Sequence, residues 1–345
     1  MSMTIDDLGE FGLIERIGRL LPRHGDDVIV GVGDDVAVLR ATGDRVWLAT
    51  CDVQVEGSHF LREAIAPSDL GRKSLAVNLS DVASAGGLPR FALVSLGLPR
   101  GLELGFIDGL YEGLRAEAEE FGVDIVGGNI SSVRHGLFID IFLLGEARRE
   151  EVVLRSGARP GDRVFVTGSL GDAAAGVALL TDGALVCSEG YASTACGRRD
   201  RPSPRVREGR IIGSSRAASA MIDLSDGLAG DLRHICERSR VSALIRADAL
   251  PVAAENRTLS CSVHGDEWHF ALHGGEDYEL LFTAAPGVAP DLVARIAGET
   301  GTCVTEVGEI TPAGRPAELV LPGGRTVSLD ERGWDHFGRR EEQAT

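Results

Sequence analysis

The stretch "MIDLSDGLAGDLRH", residues 221–234, sets the reading of the chain. It opens with Met221-Ile222, the apolar end of a strand. It then passes directly into Asp223, Ser225, Asp226 and Gly227 before a helical pattern begins. Two carboxylates and a hydroxyl therefore stand where a buried strand stops. They fit two descriptions. One is local, a turn and a helix cap. The other is that they face something positive, because a charge in an apolar stretch is costly unless paired or bound to a metal.

Working outward, the same pattern recurs beside glycines and at the edges of strands and helices. "GVGDDVAVL" (31–39) carries Asp34 and Asp35, and "LATCDVQVEGSHF" (48–60) carries Asp52, Glu56 and His59. "AVNLSDVASAGG" (76–87) places Asn78, Ser80 and Asp81 inside an apolar helix. "LHGGEDYELLF" (272–282) carries Glu276 and Asp277. Each has a local description as well: a turn after Gly33, a helix polar group bonded to backbone, a cap at Asp226, a turn into an edge strand at Glu276-Asp277. Taken together they point to convergence on divalent cations. The donors are oxygens, with no His or Cys cluster at zinc spacing. Oxygen ligands that leave positions for substrate oxygens fit magnesium.

The 345 residues are enough for about two domains. A turn-forming run, "RSGARPGD" (155–162), separates residues 1–150 from 151–345. Hydrophobic residues make up 43%, enough for a sizeable core. The net charge of −17 argues against nucleic acid and anionic membranes as partners. It admits an anionic substrate if cations bridge the like charges. The cysteines Cys51, Cys187, Cys196, Cys236, Cys261 and Cys303 are scattered, as suits a reducing cytoplasm. The start, "MSMTIDDLGEFG", is acidic, and neither a signal peptide nor a transmembrane helix is expected.

Valine-rich runs predict strands over 28–33, 45–53, 91–98, 123–128 and 137–147. Helical spacing predicts helices over 68–85, with Ser68 as N-cap, and over 104–120. In the second half a strand at 163–168 and a small-residue helix at 171–180 come first. Residues 186–210, with little periodicity and many arginines, read as a loop. A helix, strand, helix and strand follow, and later a hairpin, "AELVLPGGRTVSLD" (317–330). The order is not a clean βαβ alternation. It predicts an α/β chain of the α+β type, with two domains, each a mixed sheet packed against helices.

Other chemistries find no support. "DLGRKS" (69–74) has the end of a phosphate-binding loop motif without its first glycine. There is no protein-kinase signature set and no nucleophile elbow. His264, His269 and His273 are not at metalloprotease spacing and read as strand or surface histidines. The arginines at 198, 199, 201, 205, 207 and 210 read as a solvated loop, or else as a loop drawn over a phosphate.

The motifs together resemble the thiamine-monophosphate kinase family. Its superfamily also holds aminoimidazole ribonucleotide synthetase, selenophosphate synthetase and a hydrogenase maturation protein. The resemblance runs from "GEFGLIERI" (9–17) through "GVGDDVAVL", "DVQVEGSHF" and "GRKSLAVNLSDVASAGGLPRF" (71–91) to "VGGNIS" (126–131). It continues with "VTGSLGDAAAG" (166–176), "RPSPR" (201–205), "MIDLSDGLAGDLRHI", "GGEDYELLF" and "GWDHF" (333–337). It implies the aminoimidazole ribonucleotide synthetase-like fold, ATP as co-substrate, several Mg2+ ions and phosphorylation of thiamine monophosphate to thiamine diphosphate. The implied metal ligands are Asp35, Thr50, Asp52, Asp81, Asp223 and Asp226, with Cys51 acting through its carbonyl and Asn129 through its amide. The implied ATP-binding residues are Tyr111, Gly127, Gly128, Asn129, Arg155 and Ser225. Those for thiamine monophosphate are His59, Glu276 and Trp334, whose ring would stack on the cationic thiazolium. A homodimer paired through first-half strands is also implied.

The sequence departs from the family pattern at Asn129, where the motif has aspartate. An amide oxygen still binds magnesium but brings no charge. That departure is the feature favouring the alternative of a non-catalytic paralogue that binds ATP or a thiamine phosphate. Another ATP-dependent enzyme of the same superfamily is the remaining alternative.

Overall fold

The computed structural model describes residues 9–21 and 25–329. The first half comprises α1 (Gly9–Leu20), β1 (Val28–Val30), β2 (Ala37–Arg40), β3 (Arg45–Val55), α2 (Pro67–Ser84), β4 (Leu88–Pro99), α3 (Leu104–Phe121), β5 (Asp124–Val133) and β6 (Phe138–Arg148). Its strands form one sheet in the order β1-β2-β3-β6-β4-β5. The β4–β5 pair is parallel, joined by the α3 crossover, and the other pairs are antiparallel.

The second half comprises β7 (Arg163–Thr167), α4 (Asp172–Thr181), α5 (Glu189–Asp200), α6 (Val206–Ser215), β8 (Ala218–Asp223), α7 (Leu228–Ser239) and β9 (Val241–Arg246). There follow α8 (Ala254–His264), α9 (His269–His273), β10 (Leu280–Ala284), α10 (Ala289–Thr300), β11 (Val304–Pro312), β12 (Glu318–Val320) and β13 (Thr326–Ser328). The sheet order is β13-β12-β9-β11-β7-β10-β8, with only β9–β12 parallel among its pairs. Two mixed sheets packed against helices are the architecture that the sequence pattern predicts.

Helix α2 positions the site. It is buried on nearly every side, so it shows no single apolar stripe. Leu70, Leu75, Leu79 and Val82 share one core with Leu48 and Ile141 of the first sheet and with Met221 and Phe282 of the second. The two halves thus share a hydrophobic core across α2, and its polar residues meet side chains from both. The strands β3 and β6 alternate, turning Leu48, Thr50 and Gln54 inward with Ile139, Ile141 and Leu143. The opposite face of this sheet exposes Cys51, Val53, Phe91, Leu93 and Phe142.

Several sequence expectations need correction. Residues 186–210 are not a loop, because α5 and the start of α6 lie there. In α5 only Tyr191 and Ala195 are buried, so its apolar signal is weak. Ser68 does not cap α2: Ala66 is the N-cap, and Pro67 supplies the rigid first turn. The expectation that Glu276-Asp277 lead into an edge strand also fails, since β10 lies between β7 and β8. His264, His269 and His273 are on α8 and α9 rather than in a strand; the rings of His264 and His269 stack, and that of His273 lies tilted to His269. The arginine cluster is not a solvated loop. Arg205 pairs with Glu279, Arg210 with Glu151, and Arg199 with Asp200.

Candidate active site

A cleft of about 1730 Å³ opens where the two halves meet. At its floor one carboxylate oxygen each from Asp35, Asp81 and Asp223 lies within 4.8 Å of the other two. The three come from the β1–β2 loop, from α2 and from the end of β8. Hydroxyls hold each of them. Ser84 donates to Asp35 Oδ2 at 2.6 Å and Ser80 to Asp223 Oδ2 at 2.7 Å, while Thr50 donates to Asp81 Oδ2. Ser80 and Ser84 stand one turn apart on α2, so a single helix orients carboxylates from two other segments. Asn78 fixes the adjoining strand by accepting from the Asp52 backbone N–H at 3.0 Å.

Burial and mutual repulsion dominate the electrostatics. Burial, and then the charges of Asp52, Asp223 and Asp35, push the Asp81 carboxyl well above the usual range. Asp223 is pushed up to about 8, first by burial and then by Asp35. Asp34 is pushed up to about 6, by burial and by Asp35. Arg155 sits against the cluster, its Nε donating to Asp35 Oδ1 at 2.9 Å. Burial works against its charge, but Asp35 outweighs it and holds the guanidinium protonated. Three clustered carboxylates against this guanidinium leave excess negative charge, and the donor atoms are all oxygens. That chemistry fits a hard divalent cation.

The opening stretch, 221–234, is not a capped helix start. Gly227 is the N-cap of α7 and makes no side-chain cap bond. Instead the Asp226 N–H donates to the buried carboxylate of Asp231 at 3.1 Å. The loop is also tied to the "GGEDYEL" segment. Glu276 N–H donates to the Ser225 carbonyl and Tyr278 N–H to the Leu224 carbonyl, each at 2.8 Å. Glu276 and Tyr278 both take left-handed backbone, with φ of 60° and 49°. Backbone of this kind in non-glycine residues is costly and clusters at functional sites. Opposite, Gly33 has φ of 113°, and a Cβ there would lie 2.0 Å from an Arg238 guanidinium nitrogen.

The cleft brings together Asp35, Thr50, Asp52, His59, Asp81, Arg155, Asp223, Ser225, Asp226 and Glu276. His59 Nδ1 accepts from the Val55 N–H at 3.0 Å, which leaves a neutral imidazole its proton on Nε2. Cys51 backbone borders the cleft, but its thiol turns the other way and donates to Asp140 on β6 at 3.1 Å. Burial and Asp140 push that thiol up to about 12, so it is no thiolate ligand.

Tyr111, Gly127, Gly128 and Asn129 do not line the cleft. Tyr111 is partly exposed on α3 and the other three lie on β5, at the sheet edge. The register Asn129–Ser95–Asp140–Val53 puts Asn129 on the outer face, opposite Thr50 and Asp52. Between β3 and β5 lie β6 and β4, a span of roughly 14 Å at about 4.8 Å per strand. Within one chain Asn129 does not meet the carboxylate cluster. Trp334 lies outside the described residues.

Comparison with known proteins identifies the family. Residues 33–147 match the AIR synthase related protein, N-terminal domain, and residues 159–320 match the AIR synthase related protein, C-terminal domain. A thiamine-monophosphate kinase of Aquifex aeolicus is 37% identical over 339 residues, 97% of this chain and 100% of the relative. The chain belongs to the thiamine-monophosphate kinase family. The enzyme of that name from Bacillus subtilis is 34% identical, covering 96% of this chain and 100% of its own. A solved structure described as AaThiL complexed with AMPPCP and TMP superposes with a TM-score of 0.82. It is 36% identical and covers 97% of this chain and 99% of that one.

The sequence singled out the carboxylates but not several other residues of the cleft. Gln54 and Lys73 are buried and line it. Among the described residues Gln54 Oε1 has no hydrogen-bond partner. The available signal was a long polar side chain at a core position: Gln54 shares the inward phase of Thr50 and Asp52, and Lys73 that of Val77 and Asp81.

Proposed function

We propose that this chain transfers the γ-phosphoryl group of ATP to thiamine monophosphate, giving thiamine diphosphate and ADP, in the cytoplasm. The observation that carries the reading is the oxygen-only carboxylate cluster, drawn from both halves into one cleft beside His59 and Glu276. Family membership, and a relative of known structure described with AMPPCP and TMP, support the same substrates.

The acceptor is a phosphate monoester, ionised near neutral pH, so its oxygen needs no general base. The obstacle is bringing two polyanions in line, and positioning and charge balance carry the catalysis. The residues that would hold magnesium are Asp35, Thr50, Asp52, Asp81, Asp223 and Asp226, with the Cys51 carbonyl and, from a second copy, Asn129. Bound magnesium supplies neutralisation of the donor and acceptor phosphates. Arg155 offers a fixed positive charge for which Asp35 and nucleotide phosphates compete. Ser225 lies on the same side for the nucleotide, and His59, Glu276 and Trp334 address thiamine monophosphate. In this reading residues 1–150 carry nucleotide and metal binding, and residues 151–345 complete the site.

A homodimer is part of the proposal. The apolar outer face of the first sheet, with Val53, Leu93 and Phe142, is the surface it would bury. Tyr111, Gly127, Gly128 and Asn129 then serve the nucleotide site of a second copy, which the single chain's sheet order favours. Incubation with thiamine monophosphate, ATP and MgCl2, followed by chromatography of the thiamine esters, tests the activity. Thiamine diphosphate that depends on both ATP and Mg2+ is the expected result. ATP binding without any thiamine diphosphate would point to the non-catalytic paralogue.

A further inference from the structure

The sequence holds 35 basic residues, and Lys73 is the only lysine among them. A chain that elsewhere meets every need for positive charge with guanidinium uses an ammonium at this position alone. The position is deep in the molecule: Lys73, on α2, is 2% exposed. Its surroundings account for the choice. Nζ lies 2.8 Å from Glu276 Oε1, which belongs to the second half, and donates to the His59 carbonyl at 3.5 Å. An ammonium is a compact point charge that serves a single carboxylate oxygen and a carbonyl. A guanidinium is a broad planar fork.

Glu276 is held at both ends. Its backbone, with φ of 60°, is pinned by the bond to the Ser225 carbonyl. Its Oε1 is taken by Lys73, and among the described residues its Oε2 takes no hydrogen bond. The side chain stays one-quarter exposed, at 25%, in the cleft that it lines. Lys73 is the cation that meets its carboxylate, and Arg199 of α5 is a further positive charge that feels it.

We propose that Lys73 is a positioning residue for the cationic ring of thiamine monophosphate: it fixes Glu276 across the two halves, and ties the His59 loop to it, so that Glu276 Oε2 faces the ring. The inference rests on the activity proposed above. Lys73 itself does not touch the substrate. A buried ammonium with a compact partner set also means that arginine does not replace it, although this chain otherwise prefers arginine.

Steady-state kinetics of K73M, K73R, E276Q and K73M/E276Q test the idea. K73M and E276Q each raise KM for thiamine monophosphate about tenfold or more, with kcat and KM for ATP changed by less than about threefold. K73R does not restore the wild-type KM. The double variant is no worse than E276Q alone, because Lys73 acts through Glu276. Effects that multiply, or a wild-type KM in folded K73M or K73R, overturn the inference. Should K73M fail to fold, K73M/E276M removes both charges together and supplies the folded comparison with E276M. Lysine labelled with 15N gives a second readout, since the chain holds one side-chain ammonium. That signal shifts when saturating thiamine monophosphate is added, and an unmoved signal in a competent enzyme refutes the inference while leaving the activity intact. Wild-type protein that makes no thiamine diphosphate refutes the activity itself, and the inference with it.

Discussion

Asp223→Asn separates a metal-binding carboxylate from a structural one. In the structure Asp223 accepts from Ser80 Oγ at 2.7 Å, and an asparagine carbonyl keeps that bond. What the substitution removes is charge. Two carboxylate oxygens within 4.8 Å of each other repel by roughly 3 kcal/mol when both are ionised, taking an effective dielectric of about 20. Asp223 faces two such neighbours, and its carboxyl is already pushed up to about 8. Without metal the variant is therefore at least as stable as the wild type, and at pH 8 its melting temperature rises by roughly a few degrees. With metal the order reverses. Losing a ligand weakens magnesium binding by about 10- to 100-fold or more, since even an outer support is worth that much. Thermal melts in EDTA and across a MgCl2 series, alongside turnover at each magnesium concentration, read both effects. A variant that melts far below the wild type in EDTA, yet keeps the wild-type magnesium response, would refute the reasoning and restore a purely structural role.

Other consequences are equally direct. In EDTA, Asp34, Asp81 and Asp223 hold protons in the folded state that they release on unfolding, because their folded pKa values are raised. Their contribution to stability is complete below the ordinary carboxylate range and falls as pH rises through about 6 for Asp34 and about 8 for Asp223. Magnesium should raise the melting temperature more at pH 8 than at pH 5, and an equal rise at both would contradict this. Arg205→Met leaves the buried Glu279 carboxylate without its guanidinium and should cost about 3–5 kcal/mol in urea unfolding. Its KM for ATP stays unchanged if Arg205 is structural rather than a phosphate ligand. Gly128→Ala places a Cβ 1.8 Å from the Val94 carbonyl oxygen and should displace β5. Sedimentation of that variant as a monomer, with weakened ATP binding, is expected if β5 serves a second copy. Intact dimer with wild-type ATP affinity argues against that arrangement.

Much of this was legible in the sequence, for identifiable reasons. The carboxylates at 35, 52, 81 and 223 stood out because each interrupts an apolar run, which is costly without a partner. Strands β3, β4 and β6 were readable because one face is buried and alternation is enforced, whereas the short β2 was missed. Helix α5 was not, because small residues and Tyr191 give it little periodicity. The role of Asp231 was hidden because it bonds the loop before its own helix rather than acting as a cap. Lys73 escaped notice because a lysine in a helical run reads as surface, and only the packing of α2 between two halves shows otherwise. The separation of Asn129 from the carboxylates depends on strand order, which local sequence does not encode.

The most direct test of the central claim is a single-turnover experiment with ATP labelled at the γ-phosphate, excess enzyme, Mg2+ and thiamine monophosphate. Direct transfer predicts label in thiamine diphosphate in an amount equal to the ADP formed, with none on the acid-quenched protein. Labelled protein that forms and decays before the product, or label appearing only as inorganic phosphate, would contradict it.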